Sequence, residues 1–233
     1  MNEAFKSPLP IIAPSILAAD FRHLESDIQQ AVQGGAPWIH CDIMDGHFVP
    51  NISFGPALVK TVRSITDAFL DVHLMISEPD RYIGDFAKAG ANLISVHIET
   101  CSHIHRTLQQ IREQGCLTGV AVNPGTALSS LRAILHEVDM VVLMTVNPGF
   151  GGQKFIEYSY ERLRALRLVR EEIQGSFYIQ VDGGVARSNV RDVADAGADV
   201  LVAGSSVFGS SDIAAEVQAL RNDAASGYRS MYV

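Results

Sequence analysis

The chain has 233 residues, 47% of them apolar and 19% charged, enough material for one large, well-buried domain. Eighteen Lys and Arg against 26 Asp and Glu leave a net charge of −8, which argues against nucleic acid and against an anionic membrane surface as partners. The longest apolar run, Met140–Met144, is far too short to cross a bilayer, residues 1–10 lack the apolar core of a signal peptide, and three cysteines (Cys41, Cys101, Cys116) make no disulfide framework, so a cytoplasmic protein with reduced thiols is expected.

Short apolar or β-branched runs recur at Ile11–Leu17, Trp38–Met44, Phe69–Ile76, Leu93–Ile98, Leu117–Val122, Met140–Val146, Tyr178–Val181 and Val200–Val207. Each predicts a strand. The segments between them have helical spacing, as in Tyr158–Ile173, where Leu163, Leu166 and Val169 alternate with charges at steps of three and four. Gly35, Gly90, Gly115 and Gly197 stand just before predicted strands, where a glycine can end a helix in the left-handed conformation. Eight such units give about 29 residues each, close to the size of a strand-plus-helix crossover. The expectation is an α/β protein of one domain over residues 1–233, a (β/α)8 barrel. Residues 1–8 read as a loose leader, and the small residues after Arg221 as an unstructured tail. A doubly wound open sheet is the rival, but no G-x-G-x-x-G follows the first run. Polar residues also cluster at the ends of several strands, as a barrel's active site requires.

The second run ends His40-Cys41-Asp42-Ile43-Met44, and alternation puts His40, Asp42 and Met44 on one face. The third, Asp71-Val72-His73-Leu74-Met75, puts His73 with Met75, and the seventh ends at Asp182. If these faces turn inward, two imidazoles and two carboxylates meet near the barrel mouth and suit a tetrahedral divalent cation: Zn, Fe, Mn or Co. Singly, each has an ordinary structural reading, the histidines as hydrogen-bonded rim residues and the carboxylates as caps of the following helices. Together they are harder to explain without a cation, because buried charge is costly unless paired or metal-bound. Met44, Met75 and Met144 read either as core fillers or as an apolar wall around reacting atoms. His97 and Glu99 share a face of the fourth strand as supporting or interior groups, and Cys41, facing away from its neighbours, reads as a structural thiol.

Three glycine turns follow late strands: Gly149-Phe150-Gly151-Gly152, Gly183-Gly184 and Gly204-Ser205. Loops after strands seven and eight are where barrels commonly bind phosphate. Backbone amides there can hold a dianion without a lysine, and a missing Cβ lets it approach.

Ala13-Pro14-Ser15-Ile16-Leu17, the run His40 to Asn51 (HCDIMDGHFVPN), Asp71 to Met75 (DVHLM), Val146 to Gln153 (VNPGFGGQ) and Val181-Asp182-Gly183-Gly184 together resemble the ribulose-phosphate 3-epimerase family over nearly the whole chain. The resemblance implies a (β/α)8 barrel of the pentose phosphate pathway that interconverts D-ribulose 5-phosphate and D-xylulose 5-phosphate. It implies one divalent cation at His40, Asp42, His73 and Asp182, with Asp42 and Asp182 as the catalytic acid/base pair. Ser15, His73, Gly149, Phe150, Gly151, Gly152, Asp182, Gly183, Gly184, Gly204 and Ser205 are then substrate contacts, and a homo-oligomer is expected. Departures are modest: Ser95 and Ile98 flank His97 where Thr and Pro are more usual, and Gln180 precedes Val181. Epimerisation beside a ketone removes a proton from one face and returns it to the other, which explains two carboxylates. A ketohexose-6-phosphate 3-epimerase would share this set, though the intact glycine pairs lean toward the pentulose enzyme. A non-catalytic sugar-phosphate-binding barrel would not need the paired carboxylates. A Schiff-base aldolase needs a strand-end lysine, and Lys6, Lys60, Lys88 and Lys154 all fall outside the predicted strands.

Overall fold

Parallel strands alternate with helices along residues 7–230, the part of the chain that this computed structural model describes. The strands are β1 (Ile11–Pro14), β2 (Trp38–Met44), β3 (Phe69–Met75), β4 (Leu93–His97), β5 (Leu117–Val122), β6 (Met140–Met144), β7 (Tyr178–Asp182) and β8 (Val200–Ala203). The helices are α1 (Leu24–Gln33), α2 (Pro56–Ile65), α3 (Ile83–Ala89), α4 (Ile104–Glu113), α5 (Ser159–Glu172), α6 (Val190–Asp195), α7 (Ser205–Phe208) and α8 (Ile213–Ser230). Each strand from β2 to β7 pairs in parallel with the next, and β8 pairs in parallel with β1. A parallel bridge from Ser15 to His40 joins the two remaining edges. The result is the expected single-domain (β/α)8 barrel, with a strand in each of the eight predicted runs, although the first and last runs end as strands at Pro14 and Ala203, where Ile16–Ala18 and Ser205–Phe208 turn helical.

Alternation along the strands separates two cores. Ile39, Cys41 and Ile43 point outward into the layer between sheet and helices, with residues such as Val59, Leu163 and Val217. Ile11, Trp38, Phe69, Leu93, Met140 and Val200 point inward and fill the tube near the strand starts. The four junction glycines, Gly35, Gly90, Gly115 and Gly197, have φ of 93°, 108°, 80° and 122°, as their place before strands requires.

Two local readings are corrected. No α-helix joins β5 to β6; short 3-10 turns at Leu128–Leu131 and Leu135–Glu137 do, after Pro124 and Gly125 break the helical register. The tail expected after Arg221 is instead the second half of α8. Ile213, Val217, Leu220, Ala224 and Tyr228 recur at helical spacing and are buried, and the Tyr228 hydroxyl donates to Asp199 Oδ1 (2.7 Å). Small residues there suit close packing of α8 on α6 and α1, a demand that composition alone conceals. The expected leader falls mostly on residues 1–6, outside the described residues.

Candidate active site and metal centre

The strand register builds the site. β2 pairs His40 with Asp71 and Asp42 with His73 across to β3, all with inward side chains. β7 brings Asp182 from the far side of the β1–β8 seam, and Thr145 fixes that strand end by donating its hydroxyl to the carbonyls of Asp182 (3.0 Å) and Gly183 (2.6 Å). His40 Nε2 lies 3.2 Å from Asp42 Oδ1 and 3.7 Å from Asp182 Oδ2. His73 Nδ1 lies 3.2 Å from Asp182 Oδ2 and 3.7 Å from Asp42 Oδ1. One donor atom from each residue lies within 4.8 Å of the other three. A tetrahedral ion with bonds of about 2.0–2.1 Å has ligand–ligand edges of roughly 3.4 Å, close to the four separations of 3.2–3.7 Å above. This buried His2Asp2 cluster could hold a metal ion.

The same residues are held from behind. His40 Nδ1 donates to Asp71 Oδ2 (2.7 Å), which also accepts from Gln180 Nε2 (2.5 Å). His73 Nε2 lies 3.0 Å from His97 Nε2, and His97 Nδ1 lies 3.1 Å from Glu99 Oε2. Glu99 Oε1 accepts from the Asn123 amide (2.8 Å) and the Thr126 hydroxyl (2.5 Å). Such backing carboxylates orient metal-binding imidazoles. The supporting place expected for His97 and Glu99 thus has a geometry, although Glu99 reaches it from the 3-10 turn Ile98–Thr100 and not from the strand itself, which ends at His97. Asp71 and Gln180 were missed as partners, although strict alternation through Phe69, Asp71, His73 and Met75, and through Tyr178, Gln180 and Asp182, turns both inward.

The electrostatics follow from burial and company. Burial opposes charge on His40 and His73, yet the carboxylates around them outweigh it and raise both imidazoles above their ordinary range. Burial likewise opposes charge on Asp42, but His40 and His73 hold its carboxyl well below the usual range. His97, buried and facing His73, is pushed down to about 4. Glu99 is desolvated as well, but hydrogen bonds from His97, Thr126 and Asn123 bring it down to about 2. Cys41 is buried among outer-core residues, and its thiol is pushed up by that burial.

Above the cluster opens a cleft that gathers Ser15, Asp42, Asp182, Met44, Met75, Met144 and the glycine turns at Gly149–Gly152, Gly183–Gly184 and Gly204–Ser205. No lysine or arginine among the described residues lines it. His73 lies fully buried beneath, and Phe150 stands exposed on a loop tip at the rim. The Ser15 hydroxyl donates to Asp42 Oδ2. The loop after β2 is shaped by Asp45, whose carboxylate accepts from the amides of Ser77 (2.7 Å), His47 (2.8 Å) and Phe48 (3.0 Å). From that loop Asn51 donates to the Gly149 carbonyl (2.8 Å) and ties it to the loop after β6.

Residues 11–208 match the model of the ribulose-phosphate 3 epimerase family. The ribulose-phosphate 3-epimerase of Aquifex aeolicus (strain VF5) is 51% identical over 214 residues, 92% of this chain and 96% of that protein. The ribulose-phosphate 3-epimerase of Bacillus subtilis (strain 168) is 53% identical over 202 residues, 86% and 93% of the two chains. Among solved structures, 3-hexulose-6-phosphate synthase from Salmonella typhimurium shares the fold at a TM-score of 0.69, with 17% identity and 93% and 99% of the two chains covered. No helix among the described residues is long and apolar enough to cross a membrane. With a family match across most of its length and relatives at half identity, this chain belongs to the ribulose-phosphate 3-epimerase family.

Proposed function

We propose that the chain interconverts D-ribulose 5-phosphate and D-xylulose 5-phosphate by moving the proton on carbon 3 between faces. The planar enediolate on that path needs a base on each side, because one side chain does not reach both. The observation that carries the reading is the placing of Asp42 on β2 and Asp182 on β7: two carboxylates from separate strands that border one cleft and share one cluster. Asp182 shares Oδ2 with the histidines, and no protein hydrogen bond holds its Oδ1 among the described residues, so that oxygen is available for a proton. Asp42 is held on both oxygens, by His40 and by Ser15, and Ser15 keeps its carboxylate aimed. A divalent cation at His40, Asp42, His73 and Asp182, whether Zn, Fe, Mn or Co, supplies positive charge to the developing enediolate oxygens when bound. Met44, Met75 and Met144 keep the reacting end dry, and backbone amides of Gly151, Gly152, Gly183, Gly184, Gly204 and Ser205 take the phosphate. Ser15, His73, Gly149 and Phe150 complete the contacts.

The reading extends to assembly and place. Exposed Phe21, Ile52 and Tyr82 favour a homo-oligomer, and a monomer at micromolar concentration in sedimentation would overturn that clause. Three free cysteines suit a reducing cytoplasm. The test of function is an assay with ribulose 5-phosphate before and after exhaustive chelation, with a six-carbon ketose phosphate as comparator. We expect xylulose 5-phosphate, loss of activity on chelation, and recovery with one divalent ion per chain. No turnover of the pentulose would refute the activity, and full turnover by metal-free protein would refute the role of the cation.

A further inference from the structure

We propose that Glu99 is a positioning residue that dictates which nitrogen of His73 is left unprotonated to face the cluster, through a one-way chain of hydrogen bonds. The inference rests on the metal reading above. The chain runs Asn123, Glu99, His97, His73, with contacts of 2.8, 3.1 and 3.0 Å, and its direction is set from the outer end. A backbone amide can only donate, so Asn123 requires an acceptor at Glu99 Oε1. An ionised carboxylate accepts on both oxygens, so Oε2 takes a proton from His97 Nδ1. A neutral His97 then has its lone pair on Nε2, which accepts from His73 Nε2–H. Once a cation displaces the cluster-side proton, the His73 lone pair is therefore on Nδ1, the nitrogen 3.2 Å from Asp182 and 3.7 Å from Asp42. His73 and His97 are fully buried, so no solvent contact offers either ring an alternative partner.

A glutamine at position 99 keeps the shape and reverses the chain. Its oxygen must stay on the Asn123 amide, so its NH2 donates to His97 Nδ1, the His97 proton moves to Nε2, and His73 is driven to carry its proton on Nδ1, toward the cluster. Binding a cation at Nδ1 then sets two N–H groups against each other across the 3.0 Å His73–His97 contact. An alanine there removes the instruction without reversing it, since water at this partly exposed end can accept as well as donate. The two substitutions remove the same charge, so a purely electrostatic role predicts equal losses, and a packing role predicts alanine worse.

The experiment is Zn2+ affinity by chelator competition on folded wild type, Glu99→Gln and Glu99→Ala, with thermal melting of each metal-free protein as a fold control. Glu99→Gln should lose about 10–100-fold in affinity, as for other groups that back a metal ligand, and Glu99→Ala clearly less. In a His97→Phe background, where the chain is cut, the two should be equal. Long-range 1H–15N NMR of wild type should find the His97 proton on Nδ1, a readout that needs no variant to fold. Alanine losing as much as glutamine or more, or a His97 proton on Nε2 in wild type, overturns the inference. A wild type that binds no Zn2+ overturns the metal reading and this proposal with it.

Discussion

The interior of the barrel has two unlike halves carried by the same strands. Near the strand starts, Ile11, Trp38, Phe69, Leu93, Met140 and Val200 close the tube with apolar side chains, Trp38 stacked on Phe69 at 4.2 Å between ring centroids. Two and four residues further along, the same inward faces carry His40 and Asp42, Asp71 and His73, Ser95 and His97, and then Gln180 and Asp182. The floor contributes stability through buried area and ring contact. The mouth gathers dehydrated polar groups, each costly unless it finds a partner; all but Ser95 hydrogen-bond to a neighbour, although Asp71 Oδ1 and Gln180 Oε1 have no protein partner among the described residues. The comparison teaches a division of labour: the floor fixes where the strands stand, and so fixes donor atoms whose burial is costly on its own.

The largest expected effect comes from breaking the mouth alone. Asp182→Asn keeps an oxygen for the cation but takes no proton, so kcat should fall about 10²–10⁴-fold, roughly 3–5 kcal/mol of barrier, while the melting temperature stays near wild type. Incubation in deuterated water with each ketose phosphate should show Asp42→Asn and Asp182→Asn exchanging carbon 3 of opposite epimers. Exchange of the same epimer by both variants, with bound metal verified, would remove the two-face assignment. The converse is Trp38→Ala at the floor. Deleting this fully buried ring should cost about 3–5 kcal/mol of stability in denaturant titrations, with kcat per folded molecule nearly intact. A fall in kcat as deep as that of Asp182→Asn would show that the two halves are not separable.

The sequence reveals the halves unequally. Eight strands are legible because β-branched runs and junction glycines are local signals, and the cluster is legible because His40, Asp42, His73 and Asp182 sit on inward phases of strands that can be counted. The support behind the cluster is only half legible. His97 and Glu99 stand two apart and suggest a shared face, but the Asp71–Gln180 contact joins strands 109 residues apart, and nothing in either run indicates that they meet across the tube. The end of α8 is missed for a different reason. Ala224 and Gly227 resemble tail residues in composition, and only the neighbouring α6, absent from any local window, makes small size an advantage.

A smaller effect separates fold from function within the glycine turns. Gly184 has φ of 69°, and a Cβ there would sit 2.5 Å from the Phe155 backbone nitrogen, so substitution damages the loop whether or not a phosphate binds. A Cβ on Gly151 meets nothing within 4 Å and its backbone is not left-handed. Gly151→Val therefore tests the ligand alone: KM for ribulose 5-phosphate should rise about tenfold, near 1.4 kcal/mol, with melting unchanged. An unaltered KM would place the phosphate elsewhere.

The smallest effect is a pH dependence confined to the mouth. The folded metal-free protein holds His40 and His73 above their ordinary value of 6.5. A group raised on folding contributes stability that is fully present below its unfolded value and is lost as pH rises through the folded one. The proton-bound cluster is thus strongest in mild acid and weakens as the medium becomes alkaline. A cation needs the same two nitrogens unprotonated, so protons compete with it, and its binding becomes easier over the same range. Ligand bound only to the folded chain adds stability that grows with its effective affinity. The rise in melting temperature on adding Zn2+ should accordingly increase from pH 6 to pH 8. Tyr178, packed against the floor, is raised above its ordinary value of 10.0 by burial and does not change charge between pH 6 and pH 8, so Trp38→Ala should lower both metal-free and metal-bound melting curves without altering that slope. A metal-induced shift that stays flat or shrinks as pH rises would mean that these histidines do not exchange protons for the cation.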